Sequence, residues 1–295
     1  MQTSLARRFA VVAVGVTAAA LALTACGSDA KDSGKPTVIA STDVWGNIAA
    51  TIAGPDASVE SIITDPAADP HSHETSAVES AKLRDADLVV YNGGGYDEFA
   101  EKAVAGRDKR TVDAFESRPN KADENEHVFY DLNTVAAVAD QIATSLGELA
   151  PGAASAFTER AATFKSGLAG ITAIATKFAA EHPQTPVLQT EPLAHYLLLA
   201  AGVTDRTPHE FQEAIEQETD PAPAAVAATR ELLTGKQVRA LVYNVQTQDK
   251  ITKELRSVAQ SNGLPIVEVT ETLPAGTDYL QWQIKNAQAL TAALS

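Results

Sequence analysis

Asp69-Pro70-His71-Ser72-His73-Glu74 places two imidazoles and two carboxylates within six residues. Imidazole suits zinc and manganese alike, carboxylates favour the harder manganese, and both kinds of group give up protons to bind a cation. Pro70 holds Asp69 extended, so the segment reads as a loop, where function usually sits. The same residues also describe an ordinary polar turn, so the other elements of the chain must decide between the two.

Three further positions carry donor groups at the end of a strand or loop. His127 follows a charged, proline-bearing loop, 118–126, and precedes Val128-Phe129-Tyr130 with strand character. Glu191 lies in Thr190-Glu191-Pro192 after an apolar strand at 185–189, and Glu271 lies in Thr270-Glu271-Thr272 after a strand at 265–269. Each has a plain structural alternative when taken alone. A histidine beside a strand is often structural, Glu191 suits a helix end, and Glu271 suits a solvated turn. His195, His209 and Glu74 read as non-ligands, and His73 as a neighbour of His71 that faces solvent, with an auxiliary ligand or a supporting partner of His71 as the alternatives.

The elements that carry these residues follow from apolar periodicity. Strands are expected at 37–41, 58–63, 87–92, 185–189, 240–244 and 265–269. Helices are expected at 44–53, 77–85, 96–106, 134–149, 193–201, 249–262 and 278–294, with Ser76 capping the second and Asp131 or Asn133 the fourth. Strand followed by ligand-bearing loop is how open α/β sheets build sites. Gly93-Gly94-Gly95 lacks the Lys-Ser or spaced glycines of a phosphate loop. From 153 to 180 the chain is free of proline, and Phe157, Phe164, Leu168, Ile171, Ile174 and Phe178 recur at mostly helical intervals. A helix of that length spans roughly 40 Å, enough to run the height of two lobes. Leu241-Val242-Tyr243-Asn244 echoes Val89-Val90-Tyr91-Asn92, as expected of two similar halves.

The first 25 residues read as an export signal, with Arg7 and Arg8 ahead of an apolar core. Cys26, the only cysteine in the chain, follows Leu23-Thr24-Ala25 and precedes Gly27-Ser28. That segment resembles the lipobox of bacterial lipoproteins, in which the cysteine becomes the lipid-modified first residue. A single such anchor holds a protein at a membrane face without spanning it. The formal net charge is −15, and it grows more negative once Arg7 and Arg8 leave with the leader. This balance argues against nucleic acid as a partner and is compatible with attracting cations.

From Thr37 onward the chain resembles the zinc/manganese solute-binding proteins of bacterial ABC importers. Asp69-Pro70-His71 matches the family's Pro-His segment after the second strand, and Ala86 to Gly93 matches a following Ala-Asp-Leu-Val-Val-Tyr-Asn-Gly stretch. His127-Val128-Phe129 matches a His-Val-Trp-like motif, and Glu191 with Tyr196 matches the turn of the third ligand. Glu271 stands where the family usually has Asp in a Thr-Asp-Ser-like setting. The His-rich acidic loop of many zinc members is absent.

The resemblance implies an α/β fold of two similar lobes joined by a long backbone helix, with the metal site in the cleft between them. The expected divisions are a signal peptide at 1–25, a tether at 26–36, lobes at 37–150 and 183–295, and the linking helix at 151–182. It further implies metal ligands His71, His127, Glu191 and Glu271, lipid attachment at Cys26, and Zn2+ or Mn2+ as transported ligand. The implied partner is a membrane permease of an ABC importer, served by a lipid-anchored, extracytoplasmic monomer that is not an enzyme. Two other classes stay open. His71-Ser72-His73 echoes the His-x-His of metal-dependent hydrolases, and two lobes would equally serve a surface protein binding a chelated metal, cobalamin or a host ligand.

Overall fold

The computed structural model describes residues 34–295, so the expected signal peptide, most of the tether and Cys26 lie outside the described residues. Two four-stranded sheets, each wholly parallel, organise the chain. In the first half β1 (Thr37–Thr42), α1 (Asp43–Ala53), β2 (Ser58–Ile63), α2 (Ala77–Asp85), β3 (Leu88–Tyr91), α3 (Glu98–Val104) and β4 (Arg110–Asp113) alternate, and α4 (Leu132–Leu149) follows. A single helix, α5 (Ala154–Glu181), crosses to the second half.

There β5 (Pro186–Gln189), α6 (His195–Ala200), β6 (Thr204–Asp205), α7 (His209–Glu216) and α8 (Pro223–Thr234) lead into β7 (Leu241–Asn244), α9 (Lys250–Ser261), β8 (Ile266–Val269) and α10 (Tyr279–Leu294). The strand orders β2-β1-β3-β4 and β6-β5-β7-β8 are the same pattern used twice. The sequence echo therefore marks equivalent strands: β3 and β7 are each flanked on both sides, and every residue of both is buried. Strands buried on both faces read as continuous apolar runs, which is why these two were the plainest in the sequence.

Local chemistry sets most element ends. Ser76 and Glu79 form a capping box at the start of α2, Asp249 and Thr252 form one at α9, and Asp131 and Asp278 cap α4 and α10. Each cap gives a free backbone N–H a partner and contributes about 1 kcal/mol. The 28-residue α5 extends about 42 Å at 1.5 Å per residue. Its buried stripe of Phe157, Phe164, Leu168, Ile171 and Phe178 packs against α1, α4, α6 and α10. As a result one apolar cluster runs continuously from Val38 in the first lobe through α5 to Leu294 at the end of α10.

Two expectations need correction. The residues after His127 form a 3-10 turn, Val128–Tyr130, rather than a strand; Val128 N–H bonds the Glu126 carbonyl and Tyr130 N–H bonds that of His127, closing the backbone on itself. The helix expected at 96–106 is shorter, because Gly93, Gly94 and Gly95 all have positive φ and the turn continues through Asp97, which accepts from Asn92 and Gly93 N–H. A Cβ on Gly93 would come within 2.3 Å of Asp113 Oδ1, so the tight turn and the close approach both require glycine. The short strands β4 and β6 and the helices α7 and α8 lie outside the expected elements.

Candidate metal centre

The two lobes meet where the loops leave the carboxyl ends of the strands, and cross-lobe hydrogen bonds hold those loops together. Gln246 donates to the Ala68 carbonyl at 2.7 Å and to Thr272 Oγ1 at 2.9 Å, while its Oε1 accepts from Glu271 N–H. Asp43 accepts from Leu273 N–H at 3.1 Å, Tyr130 OH donates to the Thr270 carbonyl at 2.9 Å, and Asn125 donates to the Pro192 carbonyl at 3.0 Å. These bonds position the Glu191 and Glu271 loops against the loops bearing His71 and His127.

His71 follows β2. Its backbone N–H bonds Asp69 Oδ1 at 2.8 Å, an Asx turn that aims the residue, and its ring stands edge-on to Tyr96 at 4.7 Å. His127 sits in a second such turn, its N–H bonded to Asn125 Oδ1 at 3.0 Å, and the two imidazole centroids lie 5.8 Å apart. His127 is 1% exposed, and its pKa is held well below the ordinary histidine value by burial first and then by the neighbouring His71 and His195. The neutral imidazole is the form that binds a metal.

Glu271 is 2% exposed. Its Oε1 accepts from Asn244 Nδ2 at 2.8 Å, and its Oε2 lies 3.7 Å from His71 Nε2 with no hydrogen-bond partner. Donor atoms of His71, His127 and Glu271 all fall within 4.8 Å of one another. A buried carboxylate oxygen without a donor costs stability, so a protein keeps one where something else fills the position. Burial first, then the charges of Glu191 and Asp69, push the Glu271 carboxyl far above its usual range.

Glu191, at 5% exposure, stands beside this group rather than inside the tightest cluster. Its Oε2 accepts from the same Asn244 Nδ2 that holds Glu271, and burial raises its pKa to about 7. His73 is turned away from the other imidazoles: it packs edge-on to Phe99 at 4.7 Å, its Nε2 is 3.7 Å from Glu79, and it is half-buried rather than solvent-facing. His195 bonds Asp123 at 2.8 Å, and His209 is exposed beside Glu213.

Two potential donors were missed in the sequence, Glu126 and Glu216, which group with His71 within 4.8 Å. Glu216, the last residue of α7, places Oε1 3.4 Å from His71 Nε2 and 3.2 Å from His127 Nε2, and that oxygen too is buried without a hydrogen bond. Its carboxyl is raised far above the usual range by burial and by the charges of Glu126, Glu191 and Glu271. Nothing in its acidic, amphipathic segment distinguishes it from an exposed helical glutamate.

Two imidazoles from one parallel-sheet lobe meeting a buried carboxylate from the other, with donor atoms within 4.8 Å, are the arrangement of a two-lobed cation-capture protein. The family described as zinc-uptake complex component A, periplasmic, matches residues 38–293, and the chain belongs to that family. It is 27% identical over 263 residues to the manganese-binding lipoprotein MntA of Bacillus subtilis, covering 83% of each chain. It is 24% identical over 291 residues to the metal ABC transporter substrate-binding lipoprotein SloC of Streptococcus mutans, covering 90% of this chain and 92% of that one. Among solved structures, the periplasmic zinc-binding protein TroA of Treponema pallidum shares the fold with a TM-score of 0.75 at 20% identity, over 88% of this chain and 99% of that one. The expected two-lobed α/β architecture is thus observed.

Proposed function

We propose that this chain is an extracytoplasmic receptor that captures Mn2+ or Zn2+ between its lobes and delivers it to the permease of an ABC importer. Family membership over residues 38–293 supports the receptor class, and the names of the manganese- and zinc-binding relatives support the cargo. The single observation that carries the site is that donor atoms of His71, His127 and Glu271 lie within 4.8 Å of one another, with Glu271 Oε2 buried and unpartnered. His71, His127 and Glu271 are the direct donors in this reading, and Glu191 completes the set from beside Asn244. Two carboxylates neutralise a dication and two neutral imidazoles add affinity without further charge.

Capture and release are matters of lobe movement. The cross-lobe bonds from Gln246, Asp43 and Asn125 close the cleft over the cation, and the long α5 restricts the motion to a small amplitude. Among the described residues no helix is long and apolar enough to cross a membrane. A lipid on Cys26, followed by a polar tether to about residue 36, would hold the receptor at the membrane face. The chain then serves as a monomer with a signal peptide at 1–25, a lobe at 37–150, the linking helix at 151–182 and a second lobe at 183–295.

A binding role is favoured over hydrolysis because the His-x-His pair is split: His71 faces the cleft while His73 packs on Phe99 and Glu79. A hydrolase would need both on one ion with a place for activated water. Calorimetry on metal-stripped protein tests the proposal. Tight binding of Mn2+ or Zn2+ that is lost in His71→Ala and kept in His73→Ala is the expected result. Absence of binding to either ion would falsify it.

A further inference from the structure

We propose that Glu216 is an additional ligand of the captured cation and that it biases the site toward Mn2+ over Zn2+. The inference rests on the capture function proposed above and deepens it. One atom, Glu216 Oε1, approaches both imidazole nitrogens, at 3.4 Å from His71 Nε2 and 3.2 Å from His127 Nε2. His71 Nε2 also lies 3.7 Å from Glu271 Oε2, and donor atoms of His71, Glu126 and Glu216 form a second group within 4.8 Å that shares His71 with the first. Glu216 Oε1 and Glu271 Oε2 are both buried and both lack a hydrogen bond, and Glu271 is 2% exposed, so two orphaned oxygens flank the His71 imidazole.

The position of Glu216 in its helix is unfavourable unless a cation is there. It closes α7 at the carboxyl end, where the helix dipole already carries negative charge and a carboxylate is disfavoured. The chain then turns through Glu218 at φ 51, with Thr219 N–H bonded to the Ala214 carbonyl at 2.8 Å. Phe211 and Ile215, 0% and 2% exposed, fix α7 in the apolar core of the second lobe. Glu216 is therefore carried rigidly by that lobe and reaches the imidazoles of the other, so it joins the site when the lobes close and leaves it when they open.

Coordination chemistry gives the direction of selectivity. A further carboxylate beside Glu191 and Glu271 raises the number of hard oxygen donors and takes the site beyond four-coordination. Six-coordinate, oxygen-rich sites suit manganese, whereas a tetrahedral set of two imidazoles and two carboxylates suits zinc.

The test compares the full chain with Glu216→Gln and Glu216→Ala in calorimetric titrations of Mn2+ and of Zn2+, with X-ray absorption on the manganese-loaded forms. The expected result is a Mn2+ affinity lowered on the order of 30-fold, a Zn2+ affinity changed by less than about 5-fold, and one oxygen scatterer lost around manganese. Thermal melts of the metal-free Glu216→Gln protein should show no loss of stability, since Glu216 Oε1 has no hydrogen bond to lose. Unchanged Mn2+ affinity, or equal losses for both ions, overturns the inference. If the wild-type chain binds neither ion, or if His127→Ala binds as well as wild type, the capture function itself fails. Normal wild-type binding, lost in His127→Ala but kept for both ions in Glu216→Gln, removes the role of Glu216 alone.

Discussion

Asn244 holds Glu271 by one carboxylate oxygen, its Nδ2 donating to Oε1 at 2.8 Å, and so leaves the other oxygen turned toward His71. The same amide nitrogen donates to Glu191, which keeps two buried carboxylates side by side without a charged partner. Asn92, at the equivalent end of β3, does the matching task in the first lobe by donating to the Glu126 carbonyl at 2.8 Å, one residue before His127. Each half of the fold thus ends a buried central strand on an asparagine that orients ligand-bearing backbone or side chains. Groups that orient a metal ligand typically change affinity 10–100-fold when removed.

Asn244→Ala is accordingly expected to weaken binding of the cation by about 10–100-fold while the metal-free protein stays folded. Titration calorimetry with Mn2+ and Zn2+ measures it. Wild-type affinity in this variant would show that Glu191 and Glu271 are oriented by something else.

The carboxylates are expected to differ in weight. Glu271→Ala removes a donor from the tight cluster and should reduce affinity at least ~100-fold, whereas Glu191→Ala, held beside the cluster, should cost roughly 10-fold. A side-by-side titration of the two variants decides it, and the reverse order would move Glu191 into the primary position.

Cation capture should release protons. Burial raises the Glu191 carboxyl to about 7 and the Glu271 carboxyl further, so at neutral pH the empty site holds protons that a dication must displace. Affinity should therefore rise as pH increases from 6 to 8, and titrations in buffers of different ionisation enthalpy should detect proton release. A pH-independent affinity across that window contradicts the protonated empty site.

Asp43 makes stability depend on pH in a defined sense. Burial is the main cause that raises its carboxyl from 3.8 to about 6, against the lowering effect of the Leu273 N–H bond. Because the folded pKa lies above the unfolded one, the favourable contribution is fully present below pH 3.8 and is lost as pH rises through about 6. Asp43→Asn, neutral throughout, should be more stable than wild type at pH 7.5, with the advantage shrinking toward pH 4. Thermal melts over that range check the trend, and a constant difference would mean that the Asp43 pKa is not raised on folding.

Much of this protein was legible in its residues because the relevant physics is local. Buried parallel strands such as Leu241–Asn244 need continuous apolar runs, Ser76 and Asp131 announce helix starts, and a proline-free amphipathic stretch of 28 residues has few alternatives to a helix. Strand-to-loop order placed His71, His127, Glu191 and Glu271 at the ends of elements that face one cleft. Tertiary structure alone decided which neighbours point inward. His71 and His73 are two residues apart in the same loop, yet one packs against Tyr96 in the cleft and the other against Phe99 outside it. Glu216 ends a short, charged helix with no local mark of function, and it reaches the imidazoles because Phe211 and Ile215 fasten that helix to a core formed by residues distant in the chain. The direction of a side chain depends on what its element packs against, and that information is shared among segments that the linear order keeps apart.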